Sequence, residues 1–186
     1  MSIIPAYPAQ SWRDMKISVV IPAYNEEKTI GSVLNLLLEK VKDLGEIIII
    51  DDGSRDRTGE ICKAYEARNS LVHYHLQPHN MGKTEALKEG FRRSTGEIVI
   101  VQDADLEYDP EEINDVVAPI QTGRADVVLG SRFLVRSASR SLYFRHYMAN
   151  QFITFLSNVL TDLNLTDVET CYKAFRGEII RSMIIT

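Results

Sequence analysis

Asp103-Ala104-Asp105 follow a run of β-branched residues, Ile98-Val99-Ile100-Val101. Residues two apart on an extended chain point the same way, so the two carboxylates converge where a buried strand over Glu97–Gln102 ends. Hard divalent cations such as Mg²⁺ or Mn²⁺ prefer oxygen ligands and bridge readily to phosphates. The chemistry this suggests is a metal-held nucleotide diphosphate, with Asp103 and Asp105 as ligands. Glu107, two residues further on, either adds a ligand or is an exposed loop acid.

A second apolar run, Glu46–Asp51, also ends in acids, Asp51-Asp52. Buried unpaired carboxylates are costly. Either acid pair alone reads equally well as a turn or a helix cap, and Asp52-Gly53 is a common turn dipeptide. Two acidic strand ends on one edge, with Tyr24 and Glu26 after a first strand, point instead to ligand contact. Open α/β sheets bind their ligands at that edge.

Other motifs narrow the chemistry. Gly82-Lys83-Thr84 is not a phosphate loop, because the position five before Gly82 is Gln77 rather than glycine. Lys83 either neutralises a phosphate at a helix N-terminus, where backbone N–H groups favour anions, or is a solvated lysine. The four histidines, His73, His75, His79 and His146, lack ligand spacing, which argues against zinc. Cys62 and Cys171 are far apart and read as ordinary buried thiols. From Arg132 to Thr161 there is no Asp or Glu, while Arg132, Arg136, Arg140 and Arg145 fall in the first half. These arginines meet an anionic ligand, form a solvated basic face, or, with the apolar helix that follows, lie on anionic lipid.

The elements that must position these groups alternate. Lys16–Ala23 reads as a strand, Thr29–Leu44 as a helix with Gly45 at its C-cap, Arg57–Asn69 as a helix and Leu71–Leu76 as a strand. Lys83–Ser94 reads as a helix, Asp109-Pro110 opens another, Asp126–Gly130 is a fifth strand, and Phe144 to Leu160 is a long helix with a broad apolar face. A short helix follows Gly177. The expected fold class is α/β, three layers around a mostly parallel sheet.

The chain has 186 residues, 45% apolar and 25% charged, with a net charge of −5. That is one globular domain, residues 16–186, after a flexible leader over residues 1–15. The negative charge excludes general nucleic-acid binding. There is neither a secretory signal pattern nor a continuous apolar stretch long enough to span a membrane. The apolar helix serves a membrane surface, a homo-oligomer or the core.

Taken in order, Val20-Ile21-Pro22-Ala23-Tyr24-Asn25-Glu26-Glu27, Asp51-Asp52-Gly53-Ser54, Asn80-x-Gly82-Lys83, Asp103-Ala104-Asp105, Gly130-Ser131-Arg132 and Cys171-Tyr172-Lys173-Ala174-Phe175-Arg176 resemble family 2 glycosyltransferases. The similarity is greatest to dolichyl- or polyprenyl-phosphate sugar transferases of the dolichol-phosphate mannosyltransferase kind. It runs from about Lys16 to Arg176. The resemblance implies a GT-A fold, a nucleotide-sugar donor of the UDP-glucose or GDP-mannose class, Mg²⁺ or Mn²⁺, and inversion at the anomeric carbon. It implies that Pro22, Tyr24, Glu26, Ile50 and Asp52 line the nucleoside pocket and that Asp103 and Ala104 touch the nucleotide. Asp105 would hold the metal, with Glu107 assisting, and Arg132 would face phosphate.

A polyprenyl-phosphate acceptor is already a nucleophile. A sugar-hydroxyl acceptor, in polysaccharide or glycolipid synthesis, needs a carboxylate base, for which Asp167 and Glu169 are candidates or else simple ion-pair partners of Lys173 or Arg176. The resemblance places the protein at the cytoplasmic membrane face as a peripheral enzyme. Such transferases usually continue past the KAFR segment with a basic loop that closes over the donor. The sequence stops at Thr186, so the expectation is a catalytic domain lacking that segment, or an inactive nucleotide-sugar-binding fragment.

Overall fold

A computed structural model describes residues 15–131, 144–168 and 170–185. The expected leader, apart from Met15, lies outside the described residues. So do Arg132, Arg136, Arg140 and Glu169, and the side chains of residues 144–146.

The elements run β1 (Ile17–Ala23), α1 (Ile30–Lys40), β2 (Leu44–Asp51), α2 (Thr58–Glu66), β3 (Val72–Leu76), α3 (Lys83–Arg93), β4 (Ile98–Val101), a 3₁₀ turn (Pro110–Glu112), α4 (Ile113–Gln121), β5 (Val127–Leu129), α5 (Phe144–Thr161), β6 (Lys173–Arg176) and α6 (Gly177–Ser182). They build one six-stranded sheet in the order β3-β2-β1-β4-β6-β5. The pairs β1–β2, β1–β4 and β2–β3 are parallel. β6 runs antiparallel to both of its neighbours.

Burial explains why these residues form these strands. Ile17, Val19 and Ile21 pack with Ile30, Val33, Leu34 and Leu37 of α1 and Ile113, Val117 and Ile120 of α4 on one face. Val20, Val99 and Val101 meet Phe91 of α3 and Ile180 of α6 on the other. A strand covered on both faces reads as a continuous apolar run rather than an alternating one. Asp109 starts the 3₁₀ turn, its carboxylate accepting from the Glu111 N–H at 3.0 Å, with Pro110 as the first residue.

One expectation is corrected, and two further features become visible. α1 ends at Lys40 with an extended Val41 as its cap, the left-handed residue is Asp43 (φ 55°), and Gly45 lies inside β2. A Cβ on Gly45 would come within 2.9 Å of the Lys16 Cβ, so strand proximity rather than capping calls for glycine there. The reversed strand β6 has no counterpart in the expected alternation. α5 does not bury its apolar residues: Phe152, Phe155, Val159 and Leu160 are exposed, the last at 85%. No helix among the described residues is long and apolar enough to cross a membrane.

Candidate functional site

The loops after β1 and β2 are laced together at the carboxyl edge of the sheet. Asn25, in the left-handed region at φ 58°, donates its N–H to Ser54 Oγ (2.9 Å), and its side-chain oxygen accepts from the Arg55 N–H (2.8 Å). The Glu26 N–H meets Thr58 Oγ1 at 2.7 Å, and the Glu26 carboxylate accepts from the Thr29 hydroxyl at 2.9 Å. Tyr24 is left half-exposed above this joint. It lines a cavity of about 310 Å³ with Gly53, Ser54, Arg55, Leu76, Gln77, Pro78, His79 and Asn80. Pro22 pairs in register with Ile50. Ile50 itself is fully buried against Ile48 and Ala86, so it stands beneath this edge.

The two acids ending β2 do different work. Asp51 accepts from the Ser54 N–H (2.8 Å) and the Tyr74 hydroxyl (2.7 Å), holding its own turn. Burial, the hydrogen bond and the charge of Asp51 together push the Tyr74 phenol well above its ordinary value. Asp52, also buried, reaches across to a different loop. Its two oxygens accept from the Met81 and Gly82 N–H groups at 2.7 and 2.8 Å. That anchors the segment delivering Lys83 to the start of α3.

Lys83 closes onto the acid pair. Its ammonium lies 2.6 Å from Asp103 Oδ1. Asp105 is partly exposed, its Oδ1 accepting from the Glu107 N–H at 2.9 Å, and the Glu107 side chain is exposed. Ala104 is buried in the core between the two aspartates. Among the described residues no group of three or more His, Cys, Asp or Glu side chains is gathered to hold a metal, so Glu107 does not complete a three-carboxylate set. Two partly exposed carboxylates do fit a hard cation that takes its remaining ligands from phosphate and water.

The acid pair is braced from the far end of the chain. The Asp103 N–H donates to Cys171 Sγ at 3.2 Å, and the Cys171 N–H to the Tyr108 hydroxyl at 3.2 Å. The fully buried Tyr172 hydroxyl bonds Gln102 Oε1 (2.9 Å) and the Asp109 carbonyl (2.7 Å). Burial, with the nearby Asp103 charge, pushes the Cys171 thiol far up, so it acts here as a neutral hydrogen-bond acceptor. From the sequence alone Cys171 reads as a buried thiol, Lys173 as an ion-pair partner and Tyr172 only as part of a family motif, so the bracing of the acid pair is not foreseen. Their position three to five residues past Val168, in a stretch with no helical period, was the available signal.

Asp167 lies in a buried polar seam. Its Oδ1 accepts from Asn150 Nδ2 (2.9 Å), and Asn150 Oδ1 accepts from the Thr154 hydroxyl (3.0 Å). Asn158 then exchanges two hydrogen bonds with the Leu165 backbone. Asn150, Thr154 and Asn158 recur every four residues and form one helical stripe. α5 thus turns polar groups inward. Arg176 pairs with Asp126 at 2.9 Å, and Lys173 with the Thr170 carbonyl.

A parallel-dominated sheet with laced loops and two acidic strand ends on its carboxyl edge defines an α/β ligand-binding domain. The chain belongs to glycosyl transferase family 2, whose sequence profile matches residues 18–183. It is 34% identical over 172 residues to an undecaprenyl-phosphate 4-deoxy-4-formamido-L-arabinose transferase of Edwardsiella ictaluri, covering 90% of this chain and 51% of that one. The chain thus spans about half the length of that curated relative. It is also similar in structure to glucosyl-3-phosphoglycerate synthase of Mycobacterium tuberculosis. A complex of that enzyme with Mn²⁺, UDP-glucose and phosphoglyceric acid aligns with a TM-score of 0.69 and 25% identity, covering 95% of this chain and 63% of the other. A second complex, with Mn²⁺, UDP and phosphoglyceric acid, aligns at 0.68 and 24%. The fold is GT-A.

Proposed function

We propose that this chain is the donor-binding catalytic domain of an inverting, metal-dependent glycosyltransferase. It transfers a hexose from a nucleotide-diphosphate sugar, of the UDP-glucose or GDP-mannose class, to a polyprenyl or dolichyl phosphate. The observation that carries this is the contact of Lys83 with Asp103 at the carboxyl edge of the sheet, the edge that also bears Asp105 and the cavity lined by Tyr24 and the β2 loop. The similarity to a transferase that acts on undecaprenyl phosphate supports the acceptor class.

In this reading the nucleoside occupies the cavity of Tyr24, Gly53 and Asn80, with Pro22 and Glu26 shaping its wall and Asp52 holding the loop behind it. Asp103 and Asp105 hold Mg²⁺ or Mn²⁺, which supplies Lewis-acid stabilisation of the leaving diphosphate. Lys83 transfers its ammonium from Asp103 to a phosphate oxygen, adding preorganised positive charge where negative charge develops. An acceptor phosphate oxygen forms the new bond to the anomeric carbon. The bond from that carbon to the donor phosphate breaks, and its electron pair leaves with the nucleoside diphosphate. Arg132, outside the described residues, would contact phosphate by family resemblance.

No general base is needed for a phosphate nucleophile. This agrees with Asp167, which is 2% exposed and engaged with Asn150, and so is suited to holding α5 in place. The exposed apolar face of α5, continuous in sequence with an arginine-bearing stretch free of Asp and Glu, supports peripheral attachment to an anionic membrane surface on the cytoplasmic side.

The test is a thermal-shift panel of nucleotide sugars with and without Mn²⁺. A ligand that binds only the folded state raises its stability with concentration over Kd. A Mn²⁺-dependent shift with one donor is expected and identifies the base. Well-folded protein that responds to no donor would refute the reading.

A further inference from the structure

Lys173 is the first residue of β6 and stands between β4 and β5, in register with Leu129. It shares a sheet face with its alternate neighbours Cys171 and Phe175, the face covered by α3. That is the side from which Lys83 reaches Asp103. Its ammonium is half-buried, and among the described residues it donates only to the neutral carbonyl of Thr170, at 2.5 Å. An ammonium carries three donors. Burial lowers the Lys173 pKa, and Lys83 lowers it further, while Cys171, Asp103 and Asp167 act the other way.

A second group beside it is also incomplete. Thr170 is 1% exposed, and its hydroxyl has no hydrogen-bond partner among the described residues. Buried polar atoms are nearly always paired, so an orphan of this kind points to a missing ligand atom. Gly130 runs alongside. A Cβ there would stand 3.5 Å from the Thr170 hydroxyl and 2.9 Å from the Tyr172 Cβ, so only glycine leaves this approach open. A half-buried cation short of anionic partners and an unsatisfied hydroxyl are what a phosphoryl group satisfies, accepting charge-assisted hydrogen bonds from both the ammonium and the hydroxyl.

We propose that Lys173 and Thr170 form a phosphate-binding subsite next to the Asp103–Lys83 pair and separate from the two-carboxylate metal position. The group bound is a phosphoryl group of the acceptor or the sugar-bearing phosphate of the donor. This rests on the donor-site reading above.

The test is calorimetric titration of the whole 186-residue chain with two probes, geranyl phosphate and UDP plus Mn²⁺. Lys173→Gln is expected to weaken at least one probe by about tenfold, the scale of a lost hydrogen bond to a charged group. Loss confined to geranyl phosphate assigns the subsite to the acceptor, and loss confined to UDP assigns it to the donor. Lys173→Arg is expected to restore most of the affinity, and Thr170→Val to weaken the same probe without removing a charge. Thr170→Val also serves if Lys173→Gln does not fold. If the wild type binds UDP and the variants bind both probes as it does, the subsite is refuted while the donor reading stands. A wild type that binds neither probe refutes both.

Discussion

Asp52 and Gly82 lie 30 residues apart, yet the Asp52 carboxylate accepts the Gly82 N–H at 2.8 Å. The bond ties the end of β2 to the residue preceding Lys83, which itself reaches Asp103. The two acidic strand ends are thereby linked through one short loop. Gly82, the donor, has φ +91°, and Gly53, which follows Asp52, has φ +76°, so each of the two joined loops adopts backbone that side chains resist.

These two glycines should differ in their tolerance of alanine. A Cβ on Gly53 would sit 2.9 Å from the Asn80 N and 3.0 Å from the His79 carbonyl carbon, whereas a Cβ on Gly82 meets nothing within 4 Å. Gly82, at φ +91° and ψ 157°, lies in a backbone region essentially confined to glycine, so Gly82→Ala should cost about 1–3 kcal/mol from backbone strain alone. Gly53→Ala should cost more than Gly82→Ala and should also weaken UDP binding. Chemical denaturation of the two variants side by side checks this, and equal losses would contradict it.

The ion pair of Lys83 with Asp103 competes with any cation for the same carboxylate. Lys83→Met should therefore tighten Mn²⁺ binding in the absence of nucleotide, while weakening UDP binding by about tenfold through the lost charge-assisted contact. Asp105→Ala should abolish the Mn²⁺-dependent part of UDP binding. Calorimetry with Mn²⁺ alone and then with UDP separates the two effects. Unchanged Mn²⁺ affinity in Lys83→Met would show that the pair does not compete.

Acid stability should depend on Glu46, at the opposite edge of the sheet. Burial pushes its carboxyl up, but hydrogen bonds from the Ser18 hydroxyl (2.5 Å) and from the Thr95 N–H and hydroxyl (2.7 and 2.9 Å) outweigh this and hold it below its ordinary value of 4.5. A carboxylate with a depressed folded pKa adds stability that is present above the unfolded value and lost as pH falls through the folded one. Glu46→Gln should thus be less stable than wild type at pH 7. The gap should narrow as pH drops below 4.5, as followed by thermal melts across the acid range.

Substitution on the outer face of α5 should separate stability from membrane attachment. Phe155 and Leu160 are 62% and 85% exposed, so Phe155→Ser with Leu160→Ser should change stability by no more than about 0.5 kcal/mol per site. Sedimentation with anionic vesicles should fall markedly in the same variant. A large loss of stability would mean that this face is packed in solution.

Much of the sheet was legible because its central strands are buried on both sides. Ile98–Val101 is an uninterrupted apolar run, Ile17–Ala23 is broken only by Ser18, and Asp103-Ala104-Asp105 stands out just after the first of these. β6 was not legible as a reversed inner strand. It is four residues long, with Lys173 and Arg176 at its ends, and its neighbours are set by tertiary pairing. The inward polar seam of α5 escaped for a related reason. Asn150, Thr154 and Asn158 recur at helical spacing, but the large apolar residues around them dominate the pattern, and only the structure shows which side is covered. Likewise, the acid pair after β2 looked uniform in sequence, and only the hydrogen bonds divide Asp51 from Asp52.

The reversed strand also fixes an order of events in synthesis. Asp103 takes its brace from Cys171, 68 residues later, and β4 gains its second neighbour only with β6. The four strands β3-β2-β1-β4 can pair as soon as they have emerged, because all of them precede Gln102 in the chain. A ribosome-bound chain that has just exposed Asp103 and Asp105 therefore carries both acids on an open sheet margin, and the edge is finished only when the last strand slides in between β4 and β5.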